Sequence, residues 1–218
     1  MKYKCLVLDH DETVVQTEKT IGYPFFCEIL QSMRPGAYID LHNYVKDCHT
    51  IGFADMCRSR FHFTDEELHT EHEAWMVHVR THIPEIYPGI ESVIRRQKAV
   101  GGLVCVVSHS TEENITRDYA AHFGILPDAI YGWDLPPHQR KPNTYPLEGI
   151  MKQFDLSPAD LLVVDDSKLG WDMANPLGVD VAFSAWGKED FPRLSEEMET
   201  LCNYTFHSTK ELENFLFD

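Results

Sequence analysis

Asp9 and Asp11 stand two residues apart in the run Asp9-His10-Asp11-Glu12-Thr13, directly after the apolar stretch Cys5-Leu6-Val7-Leu8. A short apolar run with polar boundaries predicts a fully buried strand. Side chains alternate across a strand, so the two carboxylates share one side. They lie at the carboxyl end, where open α/β sheets place their ligands. Like charges this close repel, so the pair implies a bound cation, a shared proton or divided roles. Stability gives no reason to end a buried strand in two acids. The reading is chemical.

Three later segments have a similar character. Leu103-Val104-Cys105-Val106-Val107 runs into Ser108, and Leu161-Leu162-Val163-Val164 runs into Asp165-Asp166-Ser167. Between them lies Arg140-Lys141-Pro142. In this order the four segments resemble the four motifs of the haloacid dehalogenase (HAD) superfamily of phosphohydrolases, over residues 3 to about 185. The branch most resembled is that of phosphoglycolate phosphatase and β-phosphoglucomutase, with a helical (C1-type) cap. The resemblance implies a doubly wound, Rossmann-like parallel-sheet core and a Mg²⁺-dependent phosphatase acting on a small phosphomonoester.

The same resemblance assigns roles. Asp9 is implied as the nucleophile that forms an aspartyl-phosphate. Asp11 is implied as the general acid and then base, with its backbone carbonyl on the metal. Asp166 completes the protein ligands to Mg²⁺, and Asp165 takes an outer-shell or water-mediated place. Ser108 and Lys141 hold phosphoryl oxygens, and His109 is a further candidate there. Asp166-Ser167-x-x-Gly170 resembles the form of the fourth motif with Gly at its last place. Two positions depart from the family pattern: His10 replaces an apolar residue and Glu12 the commoner glycine. Alternation turns His10 away from the Asp9/Asp11 side, towards packing. Glu12 bears on the flexibility of the crossing beside it.

Two other readings stand beside this one. A phosphosugar mutase shares the core but carries a histidine about ten residues after the second aspartate, where this chain has Ile21. A non-catalytic phospho-aspartate signalling module also clusters acids, a hydroxyl and a lysine, but its phosphorylated aspartate ends a middle strand; here that strand ends in Ser108.

The elements that must position these residues follow from periodicity. Strands are predicted at 103–107, 161–164 and 179–183, with short ones at 130–131 and 204–206. Helices are predicted through Ile90, Val93 and Ile94, over 114–123 with Gly124 as the stop, and over 145–154. Strands alternating with helices predict the parallel sheet. From about 15 to 86 the pattern is helical and polar. Phe25, Phe26, Ile29 and Leu30 form one stripe, closed by Met33-Arg34-Pro35-Gly36. Thr64-Asp65-Glu66-Glu67 has the capping-box pattern. The expected division is a core of 1–14 and 87–218 and an inserted helical cap of 15–86, acting as a lid, with crossings near Val15-Gln16 and Pro88-Gly89. His78 and His82 read as a solvated pair rather than a zinc site. Trp171, Trp186 and Tyr145 read as core, and Asp172 as structural.

At 218 residues the chain can bury ~70% of its unfolded surface. Nineteen Lys+Arg against 35 Asp+Glu give a net charge of −16, which repels polyanions and excludes nucleic acid as a partner. No apolar stretch has membrane-span length. The six cysteines lack framework spacing and read as reduced thiols. The core strand at the start leaves no room for a signal peptide, so the expected place is the cytoplasm, as monomer or homodimer, with a small phosphorylated metabolite as partner.

Overall fold

A computed structural model describes residues 2–188 and 192–218. The chain runs β1 (Cys5–Leu8), α1 (Tyr23–Met33), α2 (Leu41–Thr50), α3 (Phe53–Phe61), α4 (Asp65–Thr81) and α5 (Ile90–Ala99). It continues through β2 (Leu103–Val107), α6 (Glu112–Phe123), β3 (Ala129–Tyr131), α7 (Tyr145–Phe154), β4 (Leu161–Asp165) and α8 (Lys168–Ala174). The last elements are β5 (Asp180–Ser184), α9 (Pro192–Leu201), β6 (Tyr204–Phe206) and α10 (Thr209–Phe217). The six strands form one sheet in the order β3-β2-β1-β4-β5-β6, and every pairing is parallel.

β1 lies in the middle of the sheet, and its four residues are buried on both faces. Leu6 and Leu8 join Val104, Val106, Leu162 and Val164 in one cluster, closed by Ile90, Ile94, Ile115, Tyr119 and Leu212 from α5, α6 and α10. Cys5 and Val7 join Cys105, Val107, Leu161 and Val163 in a second, closed by Leu147, Ile150 and Met173 from α7 and α8. Helices therefore cover both faces of a doubly wound sheet, and each large apolar side chain so buried stabilises by ~1.5–3 kcal/mol. The order reverses beside β1, since β2 and β4 flank it, and that switch point sits where Asp9 begins.

By contact density the chain forms two compact units, Met1–Val15 with Ile86–Asp218, and Gln16–Glu85. The second is all helical. Phe26 packs its ring on Tyr44, Phe53 and Phe61 at 5.2, 5.5 and 5.9 Å between centroids. Thr64 and Glu67 make the capping box that starts α4, and both carboxylate oxygens of Glu67 also accept from Arg34 at 2.7 and 2.8 Å. His78 and His82 stack ring on ring at 3.7 Å.

Some details depart from the sequence reading. Tyr145, read as core, is exposed at the first turn of α7, whereas Trp171 and Trp186 do pack into apolar clusters. α6 starts two residues before the periodic stripe, because Thr111 caps it by accepting from the Asn114 amide. No helix among the described residues is long and apolar enough to cross a membrane.

Candidate active site

The carboxyl ends of β1, β2, β4 and β5 converge on one edge of the sheet and carry the chemistry. Asp9 follows β1, its amide donating to the Val164 carbonyl of β4 at 2.9 Å. Asp165 ends β4 and Asp166 follows it. All three acids are buried, and one carboxylate oxygen from each lies within 4.8 Å of the others. Three carboxylates out of water at that distance demand positive charge. Hard oxygen donors of this number suit a small divalent cation that keeps part of its water, so the residues present fit Mg²⁺.

Lys141 supplies one positive charge from the loop before α7. Its Nζ lies 2.9 Å from Asp9 Oδ1 and 2.9 Å from Asp165 Oδ2, with the side chain 3% exposed. Burial pulls its ammonium down, but Asp165 and Asp9 outweigh that, and the group is held charged above the ordinary lysine value. Burial pushes the Asp9 carboxyl well above its ordinary value, and Asp165, Asp166 and Asp11 add to that push while Lys141 opposes it. The cluster is short of positive charge. Asp9 Oδ1 also accepts from the His10 amide at 2.8 Å, so that oxygen is fixed by two donors.

Asp165 is fixed on every side: Oδ1 accepts from the Ser167 amide at 2.9 Å and hydroxyl at 2.7 Å. Gly170 packs so close that a Cβ there would lie 2.4 Å from the Asp165 carboxyl carbon. That contact gives a physical reason for the glycine three residues past Ser167. Asp165 thus sits inside the acid cluster, beside Asp166.

Asp11 turns elsewhere. Its Oδ2 accepts from the Ser110 hydroxyl at 2.6 Å, and its side chain is not one of the three that cluster. Ser108 is 3% exposed at the end of β2, and its Oγ accepts from the Ser110 amide at 3.1 Å. Ser110 therefore links the two. His109 lies beside them with Nε2 2.9 Å from the Lys141 carbonyl and its ring edge-on to Trp133. Desolvation lowers its pKa despite that hydrogen bond, keeping the imidazole neutral.

His10 and Glu12 are resolved physically. Alternation does turn the His10 ring away from the acids, but it meets a polar partner rather than an apolar pocket. His10 Nε2 lies 3.0 Å from Asp118 Oδ2, both side chains at most 2% exposed, with Tyr119 stacked alongside. Arg117 Nε donates to the other oxygen of Asp118 at 2.7 Å. Glu12 takes φ +56°, the left-handed region that favours glycine. Its carboxylate accepts from the Tyr87 hydroxyl at 2.6 Å. Asp172 forms an exposed ion pair with Lys168.

The sequence reading missed Ser110, Asp118 and Lys188. Lys188 matters most: its Nζ lies 3.0 Å from Asp166 Oδ2, and the side chain is 3% exposed. Its signal was position alone, just past the carboxyl end of β5, the next strand outward from β4.

The sequence profile described as haloacid dehalogenase-like hydrolase matches residues 6–184. No curated protein matches. Among solved structures, a predicted phosphoglycolate phosphatase from Haemophilus somnus 129PT superposes with TM-score 0.80 at 16% identity, covering 99% of each chain. A hydrolase of the same family from Deinococcus radiodurans R1, with bound phosphate and sodium, gives 0.78 at 16% identity over 99% of this chain and 95% of that one. A mutant of CbbY from Rhodobacter sphaeroides, in complex with xylulose-1,5-bisphosphate, gives 0.69 at 17% identity over 96% of each chain.

Proposed function

We propose that this chain, which belongs to the haloacid dehalogenase-like hydrolases, is a Mg²⁺-dependent phosphatase of a small phosphomonoester, phosphoglycolate phosphatase-like in class. The observation that carries the reading is the buried Asp9 carboxylate, with Oδ1 held by the His10 amide and Lys141 Nζ, beside Asp165 and Asp166. With Oδ1 fixed, Oδ2 is the oxygen that attacks phosphorus. The ester P–O bond breaks as the aspartyl-phosphate bond forms, and Asp11 gives its proton to the leaving oxygen. Asp11 then takes a proton from water, which attacks the acyl phosphate and returns Asp9 with inorganic phosphate. Ser110, donating to Asp11, aims that carboxylate for both steps. Ser108 and Lys141, with His109 beside them, hold the remaining phosphoryl oxygens.

Asp9, Asp166 and Asp165, with the Asp11 backbone carbonyl, are the groups that would hold Mg²⁺. When bound, the ion neutralises the repulsion between Asp9 and a phosphate dianion. The helical unit Gln16–Glu85 is assigned the part of the cap, because it is inserted between Asp11 and Ser108 in the chain. Substrate choice would then rest with it. Six unpaired cysteines support a cytoplasmic place.

The test is hydrolysis of an aryl phosphate by purified protein. Activity is expected to require Mg²⁺, to vanish in chelator and to vanish in Asp9→Asn. Full activity in either condition would sink the mechanism.

A further inference from the structure

We propose that Lys188 is a second resident cation of this site, one that holds the Asp166 carboxylate and must give it up when a divalent ion binds. The proposal rests on the metal-dependent reading above, since it concerns the same acids.

Lys188 lies outside all four motifs that carry the family resemblance, yet it is as buried as Lys141. Lysine is almost never fully buried unless paired, and its partner here is Asp166 Oδ2 at 3.0 Å. The loop that delivers it is built into the core. Ser184 Oγ, at the end of β5, lies 2.8 Å from Thr13 Oγ1, and Trp186 Nε1 donates to the Thr13 carbonyl at 3.1 Å. Gly187 lies against the Glu12 carbonyl, where a Cβ would come to 2.5 Å. The Lys188 amide donates to the Ala185 carbonyl at 2.9 Å. Residues 184–188 are thereby stapled to the loop that carries Asp9 and Asp11, and the ammonium is aimed rather than stray.

The charge balance gives the consequence. Asp9 and Asp165 share Lys141, and Asp166 has Lys188, so each acid of the cluster already faces an ammonium. A divalent ion at these carboxylates meets a like charge hydrogen-bonded to one of them. In a low-dielectric site such repulsion is costly, so the ion binds more weakly than the acids alone would hold it. The same ammonium keeps Asp166 in place when no ion is bound.

The experiment is titration of Mg²⁺ by calorimetry, or of Mn²⁺ by electron paramagnetic resonance, into substrate-free wild type, Lys188→Gln and Lys188→Arg. Removing the charge is expected to tighten ion binding by roughly tenfold or more, while Lys188→Arg gains nothing. Without metal, Lys188→Gln should unfold at a lower temperature than wild type, and Mg²⁺ should raise it by more. Equal or weaker binding by Lys188→Gln, or a gain in Lys188→Arg, overturns the proposal and leaves the metal-dependent reading intact. If neither wild type nor Lys188→Gln binds an ion, both fall. Should the glutamine variant not fold, Lys188→Met keeps the stem volume and answers the same question.

Discussion

Asp11 and Ser110 show how one hydrogen bond divides the work of two nearby acids. Asp9 is enclosed by acids and Lys141, whereas Asp11 Oδ2 accepts from the Ser110 hydroxyl. Asp11→Asn is therefore expected to lower turnover by ~10²–10⁴-fold, the usual range for a general acid–base, while Mg²⁺ affinity stays close to wild type. Parallel titrations of turnover and metal binding check this; metal affinity falling in step with turnover would make the side chain a ligand. Ser110→Ala is expected to lower turnover less, by roughly tenfold, with KM little changed, because Asp11 keeps its proton chemistry but loses its aim. Much of this site could be read from sequence. Asp9, Ser108, Asp165 and Asp166 follow or end apolar runs, and parallel pairing of those strands is enough to bring their carboxyl ends to one edge. Lys188 and Asp118 could not be read so. Each sits in a polar context that resembles a surface, and only the packing of residues 184–188 on Glu12-Thr13, or of α6 behind His10, buries it.

At the scale of elements, α4 carries a stability cost on its inner face. Glu71 is 7% exposed, inside the helical unit, and desolvation pushes its carboxyl up to about 7. The folded pKa lies above the ordinary glutamate value, so the folded state holds a proton the unfolded chain has lost. Above about pH 7 the buried charge is present and costs on the order of 3 kcal/mol. That cost disappears as pH falls from about 7 towards about 4.5. Glu71→Gln is thus expected to unfold at a higher temperature than wild type near pH 8, with the gap closing by about pH 5. Thermal unfolding of both proteins at the two pH values checks it; a gap independent of pH would mean that Glu71 is not charged at its site. The carboxylate within α4 also shows why the helical unit was less legible than the core. Apolar strands declare themselves, and all six stand within a residue of where the sequence puts them. α2 and α3 mix Phe53, Met56 and Tyr44 with polar neighbours, and no single stripe marks where each begins. Thr64 and Glu67 were readable because a cap is a local interaction, written within four residues.

For the whole molecule the surface and the site pull on a substrate in opposite ways. The net charge is −16, and the lysines that face the acid cluster are both buried and already paired. Among the described residues, three acids against two ammoniums leave the metal-free cluster negative by one charge, and a bound divalent ion turns that to plus one, a small and buried excess beside the −16 of the whole chain. A phosphate dianion diffusing in from solution meets mainly the acidic surface, and its approach is opposed. Salt screens that repulsion: the Debye length falls from ~30 Å at 0.01 M to ~8 Å at 0.15 M. Raising KCl over that range, with Mg²⁺ kept saturating, is therefore expected to raise kcat/KM for an aryl phosphate dianion several-fold while kcat stays level. This is the reverse of the behaviour of enzymes that steer their anions in with a positive cleft. Initial rates across the salt series decide it. A kcat/KM that falls with salt would overturn this and locate a positive entrance on the molecule.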